Sequence, residues 1–478
     1  MRRHPYLFLL FCLGVGGAQA AEVLTEAQVA PECRASNDDD ERRTMAALEA
    51  KGLPIGRVEI RLQQVFDEAN PDENNWFYRW VNRAHRNTDP QVISNDLLLR
   101  EGAPFTRQAF EESSRILRSR SYLRHARIII VGRCDEAVNI EVRAREVWTL
   151  EPELSYSHKG GASRTRFGIK DKNFLGSGTT LKLSRENDVD RQSSEISFRD
   201  NNFTDLRFVL DVEYASTSDG SAYQFELYRP FYALDTTSAG GVHDEFYDRI
   251  DAVYEDGRIV DHFAHRHESH TIEYGWSNGV IDGSVTRWSW SLNSVSDKFS
   301  AADNFTGQVV IPRDREFRYP ALKYSFIQDH FTRTAYFDNM GVIEDWHTGL
   351  ALTVSLGLSS RQFGANDNAL VFGFRVANNH LFGDGLLLRW QTDLNGYWQD
   401  QTIADTKLAA DLGVYLKQSS FSQLFIGLHA EGGKDLPLDH WLYLGGDNGL
   451  RGYPLRYQAG NKMLLFNLEQ RFFWPMNG

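Results

Sequence analysis

The sequence predicts an all-β transmembrane barrel, antiparallel, with about 16 strands visible and not completed by the chain, preceded by a small α+β domain. Three observations predict it. No internal run approaches the roughly 18 to 20 apolar residues that a spanning helix needs. From Trp148 onward, segment after segment alternates with period two, as in Phe208, Leu210, Val212, Tyr214 and in Leu386, Leu388, Trp390, the last set interleaved with Arg389, Gln391 and Asp393. Aromatic residues make up 13% of the chain and fall often near segment ends, where the girdles of a membrane barrel lie. A soluble sandwich would look similar strand by strand; the number of successive long strands and the aromatic load favour the barrel.

The elements follow in order. Residues 1–20 read as a secretory signal peptide, with basic Arg2 and Arg3, an apolar stretch from Tyr6 to Val15, and Ala18-Gln19-Ala20 as a small-residue cleavage site. Residues 21–55 are a polar tail in which the run Asp38-Asp39-Asp40-Glu41 reads as solvated, with a short helix around Met45 to Lys51. Residues 56–146 carry a strand at Arg57 to Val65, an aromatic-rich helix at Trp76 to His85, and a helix at Arg107 to Arg118 that Thr106 can cap; strands at Ala126 to Val131 and Val138 to Arg143 follow. Residues 147–478 form the barrel. If its first segment runs outward, turns after even-numbered segments face the periplasm and should be short. Asn173 to Gly178, Asn201 to Asp205, Asn278 to Gly283 and Lys417 to Ser420 obey, whereas His330 to Gly349 is too long.

Charge and composition narrow the chemistry. A net charge of −13 excludes bulk neutralisation of phosphates and so argues against a nucleic-acid partner. Two cysteines remain after signal cleavage, Cys33 and Cys134; an oxidising compartment allows them to pair, two free thiols being the other reading. His262, His265, His267 and His270 have a spacing that could hold a metal, but a hydrated loop tip between the seventh and eighth segments is preferred, so no metal site is expected. Asp345-Trp346-His347 lacks a nucleophile elbow to serve, and no enzyme and no cofactor are expected. Gly160-Gly161 and Gly240-Gly241 read as turns.

Two further stretches carry a resemblance. EGAPFTRQAFEESSRILRSRSYLRHARIIIV, Glu101 to Val131, is similar to the second half of a periplasmic POTRA domain, and NFLGSG, Asn173 to Gly178, to the turn after a second barrel strand. LRGYP, Leu450 to Pro454, resembles the V-R-G-F/Y motif of the outer-membrane assembly-factor superfamily, which takes in BamA/TamA-like surface antigens and two-partner-secretion transporters. The resemblance implies an outer-membrane location with a POTRA-like domain in the periplasm. It also implies insertion of outer-membrane proteins or translocation of polypeptide, with outer-membrane lipids, an unfolded polypeptide client and a periplasmic chaperone or lipoprotein as partners. The client would add as a strand along Ala126, Arg127, Ile128, Ile129, Ile130 and Val131. In the family the motif arginine folds into the lumen onto acidic residues. That implies a lock here of Gly449, Leu450, Arg451, Gly452, Tyr453 and Glu469, the last being the nearest acid on the following strand, where Asn467, Glu469 and Arg471 alternate with Leu464, Phe466 and Leu468. The chain departs from the family in placing fifteen segments before this loop and one after it, and in lacking a downstream F-x-D-x-G, which implies truncation. A passive channel or surface-exposed barrel, or a non-functional remnant, are the alternatives.

Overall fold

The computed structural model describes residues 38–131, 136–204, 206–335, 337–338, 343–419 and 421–473. The signal segment, Cys33 and Cys134 lie outside the described residues.

The small domain is a three-stranded sheet covered by helices. Its elements are α1 (Asp38–Ala50), β1 (Ile55–Gln63), α2 (Trp76–Ala84), α3 (Pro90–Asp96), α4 (Arg107–Ser119), β2 (Leu123–Val131) and β3 (Val138–Glu146). The sheet order is β1-β3-β2, with β1 parallel and β2 antiparallel to β3. Side-chain caps start three of the helices: Asn75 accepts from the Tyr78 N–H, Asp89 from Gln91 and Thr106 from Ala109. Pro90 then occupies a first-turn position where no N–H is missed. The core joins Ile93, Leu97, Phe105, Phe110 and Leu117 to Val138, Ile140 and Val142 of the central strand. The helix expected around Met45 to Lys51 begins earlier, at Asp38, and it buries Met45 and Leu48 in the same core.

The remainder is one antiparallel sheet of sixteen strands. These are β4 (Leu150–Lys159), β5 (Ala162–Asp171), β6 (Thr180–Asn187), β7 (Gln192–Asp200), β8 (Val209–Thr217), β9 (Gly220–Arg229), β10 (Ser238–Glu255), β11 (Arg258–Ile281), β12 (Ser284–Ala301), β13 (Arg315–Gln328), β16 (Ala351–Ser359), β17 (Ala369–Phe382), β18 (Leu386–Gln399), β19 (Thr402–Ser419), β20 (Ser422–Lys434) and β23 (Lys462–Phe472). A hairpin, β14 (Phe331–Ala335) with β15 (Ile343–His347), occupies the over-long connection, and β21 (Leu442–Leu444) pairs with β22 (Gln458–Gly460) inside the loop before β23. Every neighbour in the large sheet is the next of these strands in sequence.

The two faces of the sheet differ as a hydrocarbon exterior requires. Leu154, Ile196, Trp276, Leu292, Leu356, Leu412 and Leu464 stand exposed on one face. The other carries ion pairs between strands: Lys182–Glu195, Arg199–Asp211 and Arg375–Asp393 join neighbours, and Lys323–Glu273 reaches from β13 across β12 to β11. Apolar outside and charged inside is the inverse of a water-soluble domain and the pattern of a lumen surrounded by lipid. Gly240 and Gly241 lie within β10 and not in a turn; a Cβ on Gly241 would meet the backbone of Tyr228, so the pair marks close strand approach.

The small domain docks on the barrel end formed by the turns after the second and fourth barrel strands, β5 and β7. In the β5–β6 turn, Asn173 Nδ2 donates to Thr88 Oγ1 at 2.9 Å, and the Asp89 N–H donates to the Gly176 carbonyl at 2.9 Å. The β7–β8 turn contributes Asn202, whose amide donates to Asp96 at 2.7 Å, while Asp96 is also held by Arg120. Arg118 makes a two-pronged pair with Asp345 of the inserted hairpin, at 2.7 and 2.8 Å. That hairpin fills part of the lumen, with Phe337 fully buried against Leu387 and Tyr415.

Candidate functional site

Two features of the barrel have no structural necessity: its end strands and the loop that precedes the last of them. Among the described residues, β4 pairs only with β5 and β23 only with β20, so the sheet has a seam with two free backbone edges. Unpaired N–H and C=O groups at such edges are templates for a further strand.

The loop between β20 and β23 crosses the barrel mouth away from the small domain. One end is fixed by Arg315 of β13, which grips Asp439 with bonds of 2.6 and 3.0 Å, and by His440, whose Nδ1 lies 2.8 Å from Asp405 of β19. Its other end reaches three hairpin tips. Arg456 makes a two-pronged pair with Asp190 of the β6–β7 turn at 2.5 and 2.9 Å, and its guanidinium stacks on Tyr254, whose hydroxyl also donates to Asp190. Burial pushes the Arg456 pKa down, but the hydrogen bond to Asp190 together with the charges of Asp190 and Asp447 raises it above its ordinary value. The Leu455 N–H donates to the Gly160 carbonyl in the β4–β5 turn, and Pro454 lies against Gly257. At Gly446 a side chain would strike Gly160 itself, so the first glycines of the loop are needed for this backbone approach. Below the loop a polar cavity of about 480 Å³ is lined by Glu273, Lys323, Tyr397, Asp405, Lys407 and His440.

The residues named for the lock lie apart from the contact of Arg456 with Asp190. Gly449, Leu450, Arg451, Gly452 and Tyr453 form the outer bend of the loop; Arg451 is exposed, and no ion pair is recorded for it among the described residues. Glu469 lies on the lumen face of β23, but its partner is Arg471 two residues on, at 3.0 Å. The spacing along one strand face lets Glu469 meet Arg471 without any folding back of the loop, whereas Arg456 follows the turn at Pro454 and is delivered to Asp190. Sequence reasoning had no means to find Asp190, since the partners are separated by 266 positions.

The remaining candidates are placed as follows. Ala126 to Val131 lies within β2, an edge strand whose recorded ladder is to β3 alone; Ala126 and Ile128 face the core and Arg127 is exposed. The histidines are within β11, not at a loop tip, because that strand extends for 24 residues. His265 and His267 share the lumen face with Asp297, their ligand atoms within 4.8 Å, and each is engaged: His265 with Asp251 and Asp297, His267 with Asp297, and Asp297 with Arg315. His270 instead meets Asp244 at 2.8 Å. Asp345 is held by Arg118, and His347 Nε2 lies 2.6 Å from the Gln328 carbonyl, so this triplet secures the hairpin.

No family profile and no curated protein matches the chain. Among solved structures, it resembles BamA from Haemophilus ducreyi lacking POTRA domains 1–3, at 11% identity and a TM-score of 0.37, covering 90% of this chain and 93% of that one. CdiB from Acinetobacter baumannii gives 10% identity and a TM-score of 0.42 over 88% and 68%, and CdiB from Escherichia coli 11% and 0.36 over 91% and 85%. Likeness at this level carries no weight beyond the strand order already described.

Proposed function

We propose that the chain is an outer-membrane barrel that inserts polypeptides into the membrane or passes them across it, with a POTRA-like periplasmic domain receiving the client. The observation that carries this reading is the seam: a lipid-facing sheet of sixteen strands with β4 and β23 unpaired to one another. In hydrocarbon every backbone polar group needs a partner, so a free strand edge lowers the cost of bringing a new strand into the bilayer. The edge of β2, from Ala126 to Val131, offers the same kind of template in water, and the helix and strand order around it fits a POTRA-like unit. In this reading the small domain faces the periplasm and the loop mouth faces outward. The loop held between Arg315 and Asp190 obstructs free diffusion, which disfavours the passive channel.

Photo-crosslinkers placed at Leu154 on β4, Leu464 on β23 and Arg127 on β2 test it in cells exporting outer-membrane proteins. Adducts with unfolded polypeptide at these positions, and none at Leu412 on β19, a strand paired along both of its edges, are expected. Equal capture at Leu412, or none at the seam, would refute the reading.

A further inference from the structure

The helix α2 presents a face that the barrel and the small domain leave uncovered. Trp76 and Trp80, one turn apart, are 74% and 53% exposed. Arg79, half-buried and donating to Asn74 at 2.6 Å, and the exposed Arg83 lie on the same side at helical spacing, giving a face of Trp, Arg, Trp, Arg, while Val81 and Asn82 are buried behind it. Two solvent-exposed tryptophans on one turn are costly in water, and Tyr78 and Phe77 show that the helix has other aromatics to pack: Tyr78 stacks on Phe66 and Phe77 lies 6.0 Å from Trp80.

The neighbour of this face is the lipid-facing surface of the seam. The Trp80 ring is 6.3 Å from that of Trp148, and Trp148 stands two residues before Leu150, in phase with the exposed stripe Leu150, Leu154 and Tyr156 of β4. His85, at the end of α2, contacts Glu146 and Trp148, fixing the helix beside the first residues of β4. Exposed apolar residues recur at the same barrel end in the connecting turns, at Leu175, Phe203 and Phe421.

We infer that α2 is a lipid-binding helix, its Trp76 and Trp80 seated in the headgroup region of the inner leaflet next to strand β4, with Arg79 and Arg83 on phospholipid phosphates. Indole rings prefer this zone because one edge is apolar and the N–H remains wet. Arginines flanking them supply the charge that an interfacial helix uses toward anionic headgroups. Continuity with the β4 stripe selects a membrane over a protein partner as the occupant. The helix thereby ties the small domain to the bilayer at the seam.

This inference rests on the sheet spanning a membrane, and the test separates the two. The full chain, with Cys33→Ser and Cys134→Ser, is placed in vesicles of phosphatidylethanolamine and phosphatidylglycerol. An environment-sensitive probe is attached in turn at Trp76→Cys, Leu154→Cys and Glu59→Cys, each checked for heat modifiability. Lipids carrying a headgroup spin label should quench the probe at 76 several-fold more than the probe at 59, and acyl-chain labels should quench the probe at 154. Quenching at 154 with position 76 as wet as position 59 would overturn the inference, keep the barrel, and leave the face to a protein partner. No quenching at 154 would overturn both. With the cysteines unaltered, Trp76→Phe with Trp80→Phe should remove part of the tryptophan emission that brominated lipid quenches; an unchanged quenched fraction would again overturn it.

Discussion

The two mouths of the barrel are closed by different physics. At the far mouth a loop of the barrel itself is held by charge-assisted bonds, Arg456 to Asp190 between partly exposed partners and Arg315 to Asp439 between largely buried ones. At the domain mouth, a hairpin packs aromatic side chains into the lumen around Phe337, and a separately cored domain adds turn-to-turn hydrogen bonds. The first closure depends on a few directional contacts and the second on buried apolar surface. The difference teaches that the far mouth can open by breaking a few ion pairs, while opening the domain mouth requires unpacking.

The largest expected effect lies in the packed closure. Phe337→Ala should cost about 3 to 5 kcal/mol of local stability, since a fully buried aromatic ring is replaced by a void. Limited proteolysis of the purified barrel should then cut in residues 331–347 and leave 442–460 as resistant as before. Cleavage of both regions together would show that the two closures are one cooperative unit.

Next in size is the polar closure. Arg456→Ala should cost about 1 to 3 kcal/mol, less than a fully buried pair because both partners keep some solvent contact. Cleavage in residues 442–460 should rise, and rise further with salt in the parent chain. A double-mutant cycle with Asp190→Asn should show coupling; independent effects would mean that the loop is held elsewhere.

How much of this could be read from the sequence follows from the range of each interaction. Period-two alternation is local, so the sixteen strands, the loop before the last one and the lipid face of Leu464, Phe466 and Leu468 were all legible. The Thr106 cap was legible for the same reason, three residues separating donor and acceptor. Asp190 and Asp439 were not, because each pair joins the loop before β23 to an element distant in sequence. The histidines misled because strand length is set by the neighbours in the ladder: β11 runs well past its own alternation since β10 and β12 continue beside it. The start of the first helix was not legible, because composition alone does not show how far it extends ahead of the residues that bury its face, here Met45 and Leu48.

Two buried carboxylates at the domain mouth should respond oppositely to pH. Burial pushes the Glu146 carboxyl up, but hydrogen bonds from His85 and Thr88 outweigh it and leave it below its ordinary 4.5. Its contribution is therefore present above that value and lost as pH falls through the lowered one. Burial raises Glu112, and the N–H of Leu234 only partly offsets this, so its ionisation opposes folding as pH rises past 4.5. At neutral pH, Glu146→Gln should cost about 1 to 2 kcal/mol, and Glu112→Gln should be neutral or slightly stabilising. The readout is thermal release of the small domain across pH 3 to 8, a range chosen as about one to three units either side of the carboxylate values. Equal behaviour of the two variants would mean that the docking contacts do not discriminate the ionised states.

The smallest expected effect concerns the residue that the sequence singled out. Arg451 is exposed at the outer bend of the loop, while Glu469 is engaged by Arg471 on its own strand. Arg451→Ala should therefore change loop stability by no more than about 0.5 kcal/mol, as for a surface site away from caps and cores. Arg456→Ala, five residues on, removes the contact to Asp190 and serves as the positive control in the same assay. Combined with Glu469→Ala, the Arg451 change should be additive to within about 0.3 to 0.5 kcal/mol, because the two side chains share no partner. Coupling well beyond that would place Arg451 in the lumen after all, with Glu469 released from Arg471, and would make the loop a two-state element that exchanges one arginine for the other.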